Sequence, residues 1–260
     1  MRHRVLLLNS AVAFALALMA MITLHELAHG VAALMQGQQP VIHPSSEDDN
    51  AATVGAKVFI ALAGPLWSLV SGVVVLALPQ VPASRAFWRL AVLWFGLLSV
   101  QEFSGYLFVG LFTNVGDIGS TYKLLGSPIW LKRVVFAVGA ALTYLTARVA
   151  TRRLLEVTNT SGDTAAQMRA LGLFAWLIGV AIVVIVSLPN SERSSHSAIV
   201  IFELLGTLTS GIFLVYVRWL SKVIHVPPLS PAFRWPIGGI LVMLALAVGR
   251  HLLFVPGLTL

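Results

Sequence analysis

The chain has 260 residues, of which 58% are hydrophobic and only 10% charged, and its mean hydropathy is +0.89. A soluble domain carries about 25% charged residues, so this composition excludes an ordinary soluble globular protein and predicts a polytopic, all-α membrane protein with about six to seven transmembrane helices. The net charge of +7 is spread through the loops, which argues against nucleic acid as a partner, and the absence of cysteine excludes disulfides, thiolate metal sites and cysteine nucleophiles.

A spanning helix needs about 20 mostly apolar residues. Seven segments qualify in chain order: 5–35, 56–79, 87–112, 133–150, 169–189, 198–217 and 236–254. The first follows Met1-Arg2-His3-Arg4, as the core of a signal peptide does. Its apolar run continues well past signal length, so it is expected to be a retained first span. The connections are short, the most polar being Gln36 to Asn50 with Pro40, Pro44 and Glu47-Asp48-Asp49. No linker is long enough to hold a soluble domain, so residues 1–260 are expected to form one membrane domain. A cytoplasmic N-terminus puts 11 of the 17 lysines and arginines on the cytoplasmic side, the distribution that the positive-inside rule favours. The expected location is a bacterial inner membrane.

Span 1 contains Thr23-Leu24-His25-Glu26-Leu27-Ala28-His29-Gly30. Histidines four apart on a helix lie on the same face, one turn from each other, and their imidazoles suit a shared zinc ion. A glutamate beside the first histidine suits a general base acting on a water at the metal's open position. Three ionisable side chains within an apolar span cost several kcal/mol unless partnered, so a metal is the expected partner.

Zinc requires a third protein ligand, and the carboxylates available within or at the edge of the membrane are Glu102, Asp117 and Glu203. The motif lies in the second half of span 1, toward the side where that span exits. Residues just after span 3 return to the same side, and there Asp117 is flanked by Gly116 and Gly119. Glu102, inside span 3, is either an outer partner of the zinc histidines or a structural glutamate. Glu203 reads as structural. Asn114 is a candidate substrate or aspartate contact, whereas His43, His196, His225 and His251 read as loop or interfacial residues.

In this order the chain resembles the site-2 protease family of intramembrane zinc metalloproteases. The resemblance covers residues 15–120 and rests on three elements. His25-Glu26-Leu27-Ala28-His29 resembles the family's zinc and general-base motif. Ala63-Gly64-Pro65-Leu66-Trp67-Ser68 is similar to its Ala-Gly-Pro-x-x-Asn element, with Ser68 at the asparagine position. Asn114 to Gly119 resembles its segment bearing the third ligand.

The resemblance implies Zn2+ held by His25, His29 and Asp117, with Glu26 catalytic. Asn114, Glu102 and Ser68 would support the metal or bind substrate, and residues 130–260 would be additional transmembrane helices. The implied partners are the lipid bilayer and a membrane-protein substrate whose helix unwinds locally before cleavage. The 36–56 connection is a candidate source of an edge strand to receive it. Two other classes remain open at this stage. One is a different membrane zinc hydrolase using Glu102 or Glu203 as third ligand; the other is a non-proteolytic membrane protein with a structural or partner-binding metal site.

Overall fold

In the computed structural model the described residues are 2–43, 46–48, 53–79, 81–158, 162–191 and 205–260. Among them, six helices are long and apolar enough to cross a membrane. We label the helices α1 (Arg2–Met35), α2 (Val54–Ala77), α3 (Ala86–Phe112), α4 (Gly116–Leu124), α5 (Ile129–Val157), α6 (Thr164–Arg169), α7 (Ala175–Ser191), α8 (Leu214–Leu220) and α9 (Ile237–Phe254). A π-helical turn, Ala170–Phe174, joins α6 to α7. The expected sixth crossing, 198–217, and with it Glu203, lies partly outside the described residues. Its described part belongs to the shorter apolar stretch Leu205–Leu220.

Helix α1 is the axis of the bundle and packs against α2, α3, α7 and α9. Its sequence explains this position. Ala11, Ala13, Ala15 and Ala17 are essentially inaccessible, and small side chains let neighbouring helices approach closely where lipid supplies no hydrophobic drive. Phe14 fills the space between them and meets Trp94 edge-on at 5.0 Å.

Several polar side chains within this core are hydrogen-bonded, as burial favours. Asn9 donates to the carbonyls of Val5 and Arg234, Trp94 Nε1 donates to Ser10 Oγ, and Ser10 Oγ donates to the Leu171 carbonyl at 2.7 Å. Leu171 lies in the π turn, whose widened backbone leaves this carbonyl available. Arg250, near the end of α9, turns inward and donates to the Met19 carbonyl at 3.1 Å.

Three short strands lie beside the C-terminal end of α1. They are β1 (Val41–His43), β2 (Ser46–Asp48) and β3 (Leu258–Thr259), ordered β2–β1–β3 and antiparallel throughout. Ile42 pairs with Glu47 on one side and Leu258 on the other. The 36–56 connection thus supplies two strands, β1 at the centre of the sheet and β2 at one edge, the edge strand expected of it. Ile42 is fully buried, and its side chain lies where a Cβ on Gly30 would stand, so the sheet is seated against the turn that follows His29.

The fourth span is longer than the expected 133–150, since α5 continues through Arg152, Arg153 and Glu156. Helix α3 runs unbroken to Phe112, matching the expected end of span 3. The chain then runs extended through Thr113 and Val115 and re-enters helix at Gly116, whose φ of 72° is a conformation that glycine adopts without a Cβ penalty. Gly116 sits beside Tyr106, while Ile118 and Tyr122 lie against Gly110. The chain has thus dropped back along α3 before α4 rises again, which carries Asp117 to the depth of the span 1 histidines.

Candidate metal centre

His25 and His29 project from one face of α1, and Asp117 comes from the first turn of α4. The two imidazoles are buried, and the Asp117 side chain is 21% exposed. His25 Nε2 lies 3.1 Å from Asp117 Oδ2 and 3.1 Å from His29 Nε2, and His29 Nε2 lies 3.3 Å from the same carboxylate oxygen. Burial alone would raise the Asp117 pKa. The imidazoles of His29 and His25 outweigh it and hold the group well below the usual carboxylate range.

The outer nitrogens explain how the imidazoles are aimed. His29 Nδ1 lies 2.7 Å from the Ile60 carbonyl, which can only accept, so this nitrogen carries a proton and donates. Ile60 lies on α2 about one turn ahead of Pro65. His25 Nδ1 is paired with Ser68 Oγ at 3.1 Å. With both outer nitrogens engaged, the two Nε2 atoms and a carboxylate oxygen converge on one point. A proton or a metal ion shared among them relieves the repulsion between acceptors at that spacing.

The donor set suits a metal ion. For ligands ~2.0–2.1 Å from a tetrahedral zinc, neighbouring donor atoms are about 3.3 Å apart, close to the separations here. Among the described residues these three are the group of His, Asp and Glu side chains that could hold a metal ion.

Gly64 faces the convergence point from α2. A Cβ there would stand 2.6 Å from His25 Nε2 and closer still to His29 Nε2. What packs against this glycine is the pair of inward imidazole nitrogens.

Glu26 is buried and lies within electrostatic range of His29, Glu102 and Tyr106. Glu102 is partly buried in α3 within range of His25, Asp117 and Glu26, but it is not one of the converging ligands. Ser68 is buried and orients His25. Asn114 is not brought to the centre. It is exposed, and its Oδ1 accepts from Lys132 Nζ at 3.2 Å. Its neighbourhood with Asp117 in sequence is undone by the turn at Gly116, which sends the two side chains apart.

Two contributors carry weaker sequence signals. Tyr106 stacks on His25 with ring centroids 5.5 Å apart and planes 9° from parallel, and its hydroxyl is in hydrogen-bonding reach of Asp117. It stands one helical turn after Glu102, a spacing that could have suggested a shared face. The Ile60 contribution is a backbone carbonyl, for which side-chain identity gives no signal.

No protein-family model, curated protein or solved structure matches the chain.

Proposed function

We propose that the protein is an intramembrane zinc metalloprotease that hydrolyses peptide bonds in transmembrane or membrane-anchored protein segments, as the resemblance to the site-2 proteases implies. The observation that carries this reading is the convergence of His25, His29 and Asp117 on one point, with Glu26 buried beside them, inside helices apolar enough to cross a membrane. Zinc held by these three side chains would supply Lewis acidity, polarising the scissile carbonyl and lowering the pKa of a water toward ~7.

The chain's own residues do the rest. Ser68 and the Ile60 carbonyl fix the orientation of the two imidazoles, as outer partners of metal-binding histidines do. The Glu26 carboxylate takes the proton of the attacking water and returns it to the departing amine, so that one side chain serves as base and then as acid. Tyr106 walls one side of the His25 ring. The charge distribution supports a cytoplasmic N-terminus.

The deciding experiment is Glu26→Gln, assayed for metal content and for cleavage of a panel of labelled single-span membrane peptides. The variant should retain zinc and lose about 10²–10⁴-fold in turnover, the contribution of a positioned general base. Undiminished turnover would assign activation of the water to another group. Stoichiometric zinc, with no cleavage of any panel member by the unsubstituted protein, would favour a structural or partner-binding metal site.

A further inference from the structure

Helices α2 and α5 both pack on α3 and make almost no contact with each other. Between them lies a groove of ≈ 410 Å³. Val73 and Leu76 of α2 form one wall, Leu142 and Leu145 of α5 the other, and Val100 of α3 lies at its floor. Arg152 and Arg153 complete the lining at one end. This is the end where α2 finishes and α3 begins, opposite the side of α1 that carries His25 and His29.

The dimensions suit one leaflet of a bilayer. From Leu142 to Arg153 the α5 wall rises ~16 Å at about 1.5 Å per residue. Half of a ~30 Å hydrocarbon core is ~15 Å. The groove wall thus has the length of one leaflet's hydrocarbon half, apolar along its length and cationic at its mouth.

The charge at the mouth is not neutralised within the cluster. Glu156 is a single carboxylate shared by three guanidinium groups, those of Arg89 at 3.0 Å, Arg153 at 3.5 Å and Arg152 at 4.0 Å. Arg89 is buried and has the closest contact with Glu156, and it also donates to the Val81 carbonyl. The Arg152 side chain, 69% exposed, has donors to spare at the headgroup level. A groove walled by aliphatic side chains and crowned by excess positive charge is complementary to an acyl chain beneath a phosphate.

We propose that the groove between α2 and α5 binds an anionic phospholipid, its acyl chain on Val73, Leu76, Leu142 and Leu145 and its phosphate on Arg152 and Arg153. This assignment is independent of the metal centre and of any activity there.

The test uses the full chain in mild detergent, with native mass spectrometry reading lipid retained from equal mixtures of phosphatidylglycerol and phosphatidylcholine. Phosphatidylglycerol should be retained preferentially. Arg152→Gln/Arg153→Gln should reduce that preference about 30-fold, from roughly a fivefold contribution per arginine near a membrane surface. Arg152→Gln alone touches only the most exposed member of the cluster and should show about a fivefold reduction, which covers the case in which the double variant fails to fold. Leu145→Trp narrows the groove while keeping both arginines and should lower retention of the whole lipid.

Lys57→Gln/Lys123→Gln, which removes two exposed charges on the opposite face, should change nothing. Equal retention of the two lipids would overturn the proposal. So would an equal loss in the Lys57/Lys123 variant, an unaltered Leu145→Trp protein, or displacement of the lipid by millimolar glycerol phosphate, which would assign the arginines to a free anion.

Discussion

Gly64→Ala tests the metal centre through a residue that is not itself a ligand. The added Cβ would stand 2.6 Å from His25 Nε2, and that ring would have to move out to the 3.4 Å at which ordinary contact begins. The required shift exceeds the ~0.5 Å within which a binding constellation must be held, and it is larger at His29, which is closer. Neither imidazole is free to yield, since Nδ1 of His25 is tied to Ser68 and Nδ1 of His29 to the Ile60 carbonyl. Helix α2 is confined as well, packed against both α1 and α3. Disturbing one outer partner of a metal ligand typically costs 10–100-fold in affinity. Displacing two ligands at once should therefore weaken zinc binding by about 100-fold or more. Overpacking should also cost about 1–3 kcal/mol of stability. The assay is a competitive chelator titration, with helix content followed by circular dichroism. Gly105→Ala is the control, because a Cβ there meets nothing within 4 Å. Zinc affinity in Gly64→Ala within threefold of the unsubstituted protein would refute the geometry.

Three further outcomes are expected. Purified protein should carry about one zinc per chain, and His25→Ala or His29→Ala should abolish binding that survives a chelator, since two protein ligands rarely hold zinc alone; full occupancy in either variant, measured by elemental analysis, would remove the centre. Asp117→Ala should weaken zinc binding far more than Glu102→Ala, and the reverse order in metal titrations would make Glu102 the third ligand. Ser68→Ala should lower zinc affinity by about 10–100-fold with helix content unchanged, whereas unaltered affinity would show that His25 needs no outer partner.

Much of this arrangement was legible in the sequence because its signals are local. Two histidines at a spacing of four, on a segment apolar enough to span a bilayer, specify a shared face and a cost that a cation relieves. The placement of Asp117 on the same side followed from counting crossings. What escaped depends on contacts that local pattern does not encode. Hydropathy marks where α5 is immersed, not where it stops, so the helix outruns the expected 133–150 into Arg152, Arg153 and Glu156. Asn114 was grouped with Asp117 because they are neighbours in the chain, but the positive φ at Gly116 separates them, and Lys132 takes the asparagine. Strand β3 has only two residues and pairs with a strand more than two hundred residues earlier. No period is detectable over such a length, and the pairing is set by where α9 delivers the chain.

That pairing changes how the sheet can meet an extended peptide. Strand β1 has no vacant ladder, because β2 occupies one side, residues 258–259 occupy the other, and the Leu260 amide adds a bond to the Pro40 carbonyl. Recruitment of a peptide to β1 is therefore an exchange, in which each main-chain bond formed replaces one released. Backbone terms nearly cancel in such an equilibrium, and its direction is set by side chains. The incumbent places Leu260 against Gly30, in the turn that follows His29. A peptide displacing it must bring a side chain that fits that position better than leucine does, so selectivity at β1 would be read as a difference between guests rather than as an affinity for strands.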